Sequence, residues 1–350
     1  MIIKEIRVKE QVLRKFCENI LKKVELSLED ASIITDSLLF ANLRGIDSHG
    51  IIRFPSYLKR LVEGGTNKKP QAKKIREKGG SILVDGDNGM GQVIGNYAAK
   101  LAIEKAKEVG ISFVGVNSSS HYGASSYYTA KIAEANMIGF SISNATNVMV
   151  AWGGAKAVIG NNPLSIAVPY QKGKPLVLDI SMSKVAGGKV RLAAKNKQKI
   201  PKGWIVDHYG KDTENPEDLP NAGALLPLGE HKGYGLAFMI EVLSGVLTGA
   251  GMLRQIPFWV KDLHTPLNIG HCFAALDIES FITLTSFKER LSWIVHEMKS
   301  SSLAEGFQKI YIPGEKEWEI EEKRRTEGIP MSEEVWEDLK KLSEDYQEFL

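Results

Sequence analysis

Ser48, His49 and Arg53 stand within six residues of one another, in the run Arg44-Gly45-Ile46-Asp47-Ser48-His49-Gly50-Ile51-Ile52-Arg53. An imidazole can lend or take a proton near neutral pH. A guanidinium grips a carboxylate with two parallel hydrogen bonds. A hydroxyl beside them can orient either one. Together these side chains point to proton transfer on a small carboxylate-bearing molecule. A plainer reading is equally open at this level: a helix C-terminus with Gly45 as its cap, then a polar loop.

Other runs carry chemistry less directly. Ser120-His121-Tyr122-Gly123 follows an apolar run that reads as a strand and precedes a helical one. An imidazole at the C-terminal end of a strand is where α/β proteins place ligands; a satisfied loop histidine explains it as well. Asn162-Pro163 and Asp179-Ile180-Ser181 read as polar turns or strand ends. Gly229-Glu230-His231-Lys232-Gly233 opens a long helix and could receive phosphate through backbone amides and Lys232. Gly89-Met90-Gly91-Gln92-Val93-Ile94-Gly95 resembles a dinucleotide fingerprint, but its third glycine comes one position late. No acid stands at the end of the next strand to hold a ribose, so a tight strand-to-helix turn suffices.

Several classes are disfavoured. The seven histidines form no HxxxH or HExxH pair, and two distant cysteines make no zinc site, so no metal is expected. There is no G-x-S-x-G elbow for a serine hydrolase. A net charge of +3 over 350 residues argues against a nucleic-acid binder. The run from Gly233 to Leu253 contains Glu241 and several glycines, so it reads as a buried helix and not a membrane span. The N-terminus shows no signal pattern. Cys17 and Cys272 read as buried free thiols, which suits a cytoplasmic protein.

Alternating patterns must position these groups. Helical stripes cover 10–24, a Ser27-capped run to Gly45, and a short helix from about Phe54 to Val62. Strands at 81–84, 111–116 and 138–143 alternate with helices at 92–109 and 125–135, which is α/β organisation. Short strands follow at 165–168 and 176–180, then a polar connection over 195–221. A buried helix is expected at 232–247, a strand at 272–276, an amphipathic helix at 281–298 and a short strand at 310–312. Residues 315–325 read as solvated surface, and Ser332 caps a last helix. The expected division is a helical segment over 1–70, an α/β core over 71–317, and a C-terminal helix over 318–350 that packs back on the first segment.

Taken in order, these runs resemble the type-2 malate/L-lactate dehydrogenase family, which includes malate, sulfolactate and ureidoglycolate dehydrogenases and 2,3-diketo-L-gulonate reductase. Gly188-Lys189 and Lys232-Gly233-Tyr234-Gly235-Leu236 belong to the same order, and the likeness covers essentially the whole chain. The resemblance implies an NAD- or NADP-dependent oxidoreductase acting on a small 2-hydroxy or 2-oxo acid. It implies a mixed α+β sheet with a non-Rossmann nucleotide-binding core, and a homodimer with the active site near the subunit interface. By position, His49 resembles the family's proton donor, with Ser48 beside it. Arg53 and Tyr57 match substrate-holding positions, and His121 matches a second active-site histidine. Asp179, Ile180, Ser181, Lys232, Gly233, Gly314, Glu315 and Lys316 match cofactor-contacting stretches, and Arg290 a further cofactor position.

Asp179-Ile180-Ser181-Met182-Ser183 departs from the usual Asp-Met-Ala-Thr-Ser toward the diketogulonate reductase version. Ala145 and Leu267 replace a serine and an arginine of the ureidoglycolate enzyme. Those two substrates are the alternatives. A non-catalytic protein that only binds nicotinamide nucleotide is the rival of another class.

Overall fold

A computed structural model describes residues 6–170 and 174–350. Its centre is a seven-stranded mixed sheet. The outermost pair on one side is β2 (Lys73–Lys78) and β3 (Ser81–Gly89), joined antiparallel. Helix α4 (Gly91–Val109) then crosses over, and β4 (Ile111–Ser119) returns parallel to β3. Gly110, at a φ of 85°, ends α4 in a backbone conformation that glycine adopts without strain. After β4 come α5 (Ser125–Glu134) and β5 (Met137–Ser143), then β8 (Leu164–Val168) and β9 (Leu176–Ile180) as an antiparallel run. Between β4 and β5 lies β13 (Ile269–Asp277), antiparallel to both. The sheet order is β2-β3-β4-β13-β5-β8-β9.

A second, five-stranded sheet is built from two-residue and three-residue pieces. They are β6 (Met149–Val150), β7 (Ala157–Ile159), β10 (Ile205–Val206), β11 (Asp212–Thr213) and β12 (Ala224–Leu225). Helix α6 (Gly187–Lys195) precedes β10, and α7 (His231–Glu241) follows β12 and runs into a π-helical turn at Val242–Val246. The polar connection expected over 195–221 therefore contains real pairing, too short to leave a period in the sequence.

The chain's two ends meet. Strand β1 (Ile6–Val8) pairs with β14 (Ile329–Met331). Helices α1 (Glu10–Lys23), α2 (Leu28–Leu43), α3 (Phe54–Val62) and α10 (Glu333–Tyr346) bury one apolar cluster that includes Phe16, Leu38, Phe54 and Leu339. Ser27 caps α2 by accepting from Asp30 N at 3.0 Å, and Ser332 caps α10. Both cysteines are buried and free.

Two expectations fail and one is met with a shifted start. The helix expected to be buried at 232–247 exposes Leu236, Phe238, Met239, Val246 and Leu247. Its apolar residues are spread around the helix, so only one side can meet the sheet. The amphipathic helix begins at Leu284 (α8, Leu284–Ser300) and leaves Trp293 and Met298 in solvent; only Val295 is buried. Residues 310–312 form no strand. Val177 N donates to Pro313 O at 3.2 Å, and then Gly314, at a φ of 87°, turns the chain into α9 (Glu315–Glu327).

Candidate active site

The loop carrying Ser48 and His49 is held from both sides. Asn42, in the last turn of α2, donates to Asp47 Oδ1 at 2.7 Å and accepts from Ile51 N at 2.7 Å. A Cβ on Gly50 would fall 2.2 Å from the Asn42 side chain, so that position must be glycine. Arg324 on α9 grips both oxygens of Asp47 at 2.6 and 2.9 Å. Asp47 is thereby committed to structure. Its neighbours are the ones free to do chemistry.

His121 arrives from the other direction. It follows β4, and Gly91 at the start of α4 lets that segment pass close: a Cβ there would lie 2.3 Å from Ser120 O. Gly123, at a φ of 81°, then turns the chain into α5. The result is a face-to-face pair of imidazoles, His49 and His121, with ring centroids 5.6 Å apart. Ser48 Oγ lies 2.9 Å from His49 Nδ1, and Tyr57 Oη lies 2.6 Å from His121 Nδ1. Burial pushes the Tyr57 phenol up, against the pull of Arg53, so it stays protonated and donates to Nδ1. Each ring is left with Nε2 uncommitted among the described residues.

Arg53 sends Nε to Ser48 O at 2.6 Å and makes no ion pair among the described residues. Its two terminal nitrogens remain available to an anion. Burial, and then the Arg53 charge, hold His49 down to about 4. Burial pushes His121 well below its ordinary value, followed by His49 and Arg53. Both rings are neutral at pH 7 when no anion is bound.

Nothing in the residues around Trp259 marks it as part of the site. Its ring stacks on His121 at 4.8 Å and on Tyr57 at 5.5 Å, with the Arg53 guanidinium 5.4 Å from its centroid. The loop that carries it is tied to α3 by the buried Arg60, whose guanidinium donates to Gly65 O at 2.6 Å, Thr265 O at 2.7 Å and the carbonyl of Asp262. Arg60 lies one helical turn after Tyr57, the only sequence hint of its place. A third histidine, the fully buried His271, contacts Ser143 Oγ at 2.8 Å and Ser119 Oγ at 3.0 Å behind the site.

Ser48, His49 and His121 open on a cavity of about 560 Å³. That is ample for a four-carbon acid and much else. Its far wall includes Asp179, Ser181, Gly314 and Lys316. Ser126 N donates to Asp179 Oδ2 at 3.0 Å, and burial raises the Asp179 carboxyl. The donor set suits a nucleotide: Arg44 and Lys316 for phosphate, Asp179 and Glu317 as acceptors for ribose hydroxyls, and Val177, Leu178 and Ile269 as apolar walls for rings. Arg53 and Tyr57 stand beside the cavity through Ser48 and His121. Ile180 and Glu315 are neighbours of wall residues. Lys232 and Gly233, at the start of α7, and Arg290, on α8, do not line it. Among the described residues, no group of three or more His, Cys, Asp or Glu is arranged to hold a metal.

The model of a family described as malate/L-lactate dehydrogenase matches residues 8–340. A malate dehydrogenase of Pyrococcus abyssi is 39% identical over 346 residues, covering 97% of this chain and 94% of its own. An L-sulfolactate dehydrogenase of Methanocaldococcus jannaschii is 38% identical over 332 residues, covering 94% of each. The crystal structure of a malate dehydrogenase from Entamoeba histolytica superposes with a TM-score of 0.94 at 32% identity, covering 99% of both chains.

Proposed function

The chain belongs to the malate/L-lactate dehydrogenase family and is a dehydrogenase of small hydroxy acids; from that premise we propose that it interconverts a 2-oxo acid and its 2-hydroxy acid with NAD or NADP, using His49 as the proton donor and acceptor. The observation that carries this reading is the pair of imidazoles, each fixed through Nδ1 and each with a free Nε2, beside the unpaired guanidinium of Arg53. A bound nicotinamide would supply the hydride to C2 of the oxo acid, or accept it from the hydroxy acid. Arg53 binds the carboxylate at C1 and fixes which face of C2 is presented. His49 gives its proton to the oxygen at C2 in reduction and takes it back in oxidation. Ser48 holds the ring of His49. Tyr57 sets the tautomer of His121, whose Nε2–H then donates to the same oxygen. Trp259 closes the apolar side and keeps water from the reacting groups.

Asp179, Ile180, Ser181, Gly314, Glu315 and Lys316 form the wall assigned to the nucleotide. Lys232, Gly233 and Arg290 reach such a ligand only if a second copy covers the exposed apolar faces of α7 and α8, and a homodimer is proposed on that ground. The test of the chemistry is His49→Ala. Nucleotide binding, followed by the fluorescence of reduced nicotinamide, is expected to persist while turnover of 2-oxo acids drops by about 10²–10⁴-fold. Wild-type turnover in that variant would remove His49 from the mechanism.

A further inference from the structure

The segment 251–268 begins and ends at one point, where Gly251 N donates to Asn268 O at 2.8 Å. Compact surface loops whose ends meet in this way frequently carry function. Polar side chains from outside hold it along its length. On entry, Leu253 N donates to Glu241 Oε1 at 2.9 Å, and Asn144 Nδ2 donates to Gly251 O at 2.8 Å. In the middle, Thr146 Oγ1 donates to Pro257 O at 3.2 Å. On exit, Arg60 grips Thr265 O and the Asp262 carbonyl. The tip presents Phe258 and Val260 to solvent and turns Trp259 inward, where it is only 9% exposed. The place of the indole is thus set by side chains of four other segments.

That indole meets both groups that must engage one substrate. Its plane lies 16° from that of the His121 ring, with centroids 4.8 Å apart, and the Arg53 guanidinium lies 5.4 Å from its centroid. A cation is drawn to the negative face of an aromatic ring, best of all an indole, and more strongly where water is excluded. Arg53 is such a cation: it makes no ion pair among the described residues, and burial lowers its guanidinium. We propose that Trp259 is a positioning residue for the reaction, fixing Arg53 and His121 relative to each other so that the carboxylate at C1 and the oxygen at C2 meet their partners together. This goes beyond the exclusion of water and rests on the reading of Arg53 and His121 given above. Any apolar side chain of similar size keeps water out. Only an aromatic face holds a guanidinium and backs an imidazole at once.

The experiment compares Trp259→Phe, which keeps an aromatic face, with Trp259→Leu, which keeps only an apolar one, and runs Arg53→Lys beside them in the full chain. Reduction of oxaloacetate and of pyruvate is followed by loss of reduced-nicotinamide absorbance, and nucleotide affinity by the fluorescence of reduced nicotinamide. Trp259→Leu is expected to raise KM for the acid by about tenfold, the scale of a desolvated cation–π contact, and to lower kcat by about tenfold or more through the displaced His121. Trp259→Phe should recover most of both. Nucleotide affinity should hold, because Trp259 does not line the cavity. Equal losses in the two variants would leave Trp259 a water shield and overturn the inference. Wild-type constants in the leucine variant, or a loss confined to nucleotide affinity, overturn it too. If the leucine variant does not fold, the phenylalanine variant decides: its weaker face should still raise KM by about twofold to threefold, and wild-type constants there overturn the inference. A KM that rises in Arg53→Lys but not in Trp259→Leu overturns the inference alone. A KM that rises in neither, or a wild-type chain that reduces neither acid, overturns the assignment of Arg53 as well.

Discussion

His49 must serve as an acid in one direction and a base in the other, yet it stands far from the midpoint between them. Burial and the Arg53 charge hold it to about 4, so the anion-free site presents a neutral ring at pH 7. A carboxylate on Arg53 cancels the second of those causes and draws the proton onto the ring when the acid arrives. Protonation and substrate binding are therefore linked, and the linkage has a sign that rates can read. The oxidative kcat/KM reports the free enzyme and needs the neutral ring. It is expected to stay level as pH falls through 6.5 and to decline only toward about 4. The reductive kcat/KM needs a proton that the free ring does not carry, and it should fall steadily as pH rises from 5 to 8. A bell centred on 6.5, in which oxidation loses half its rate near that pH, would show that Arg53 and burial do not govern His49.

At the scale of elements, the sequence was readable wherever one element packs against the core along its length. The stripes of α1 and α2, the Ser27 and Ser332 caps and the alternation of strand and helix from β3 to β5 all carry local periodicity. The family motif placed Ser48, His49, Arg53 and His121 in one set. What could not be read were contacts made across long separations. Trp259 reaches His121 only because Arg60, 199 residues away, ties its loop to α3. Nothing local to Pro257-Phe258-Trp259 announces this. The glycines at 89 and 91 read as a turn, and the turn is real, but the sharper requirement is the passage of the segment carrying His121 over α4. A methyl group on Gly91 would meet Ser120 O at 2.3 Å and His121 O at 2.6 Å, both backbone atoms that cannot swing away. Gly91→Ala should therefore displace the second imidazole while the fold survives. We expect at least a tenfold loss of kcat with a near-native circular dichroism spectrum, because a misplacement of about 1 Å can cost about 10²-fold. Unchanged kcat would mean that the loop adapts without moving His121.

Across the whole molecule, the two ends of the chain close one apolar cluster, and we propose that residues 1–70 and 318–350 act as a single support for the catalytic loop, with α9 pinning Asp47 through Arg324. Carrying the site in a buried interior has a thermodynamic consequence. His49, His121 and His271 all lie below their ordinary values in the folded chain, each first through burial, with His49 at about 4 and His271 at about 3. The unfolded chain protonates them near 6.5, so between pH 6.5 and 4 it binds more protons than the native one. Stability is then fully present above 6.5 and is lost as pH falls below it. Asp179, raised by burial, leans the other way at lower pH. Comparing variants isolates the histidine contribution. His49→Asn keeps a polar ring-sized group and removes one titrating site. Between pH 6.5 and 5 its unfolding free energy, from urea titrations, should fall less steeply than that of the wild type, by about 1.4 kcal/mol per pH unit at the limit of one proton. Parallel slopes for the two proteins would mean that His49 takes up its proton equally in both states, and the neutral ring inferred for the free enzyme would have to be abandoned.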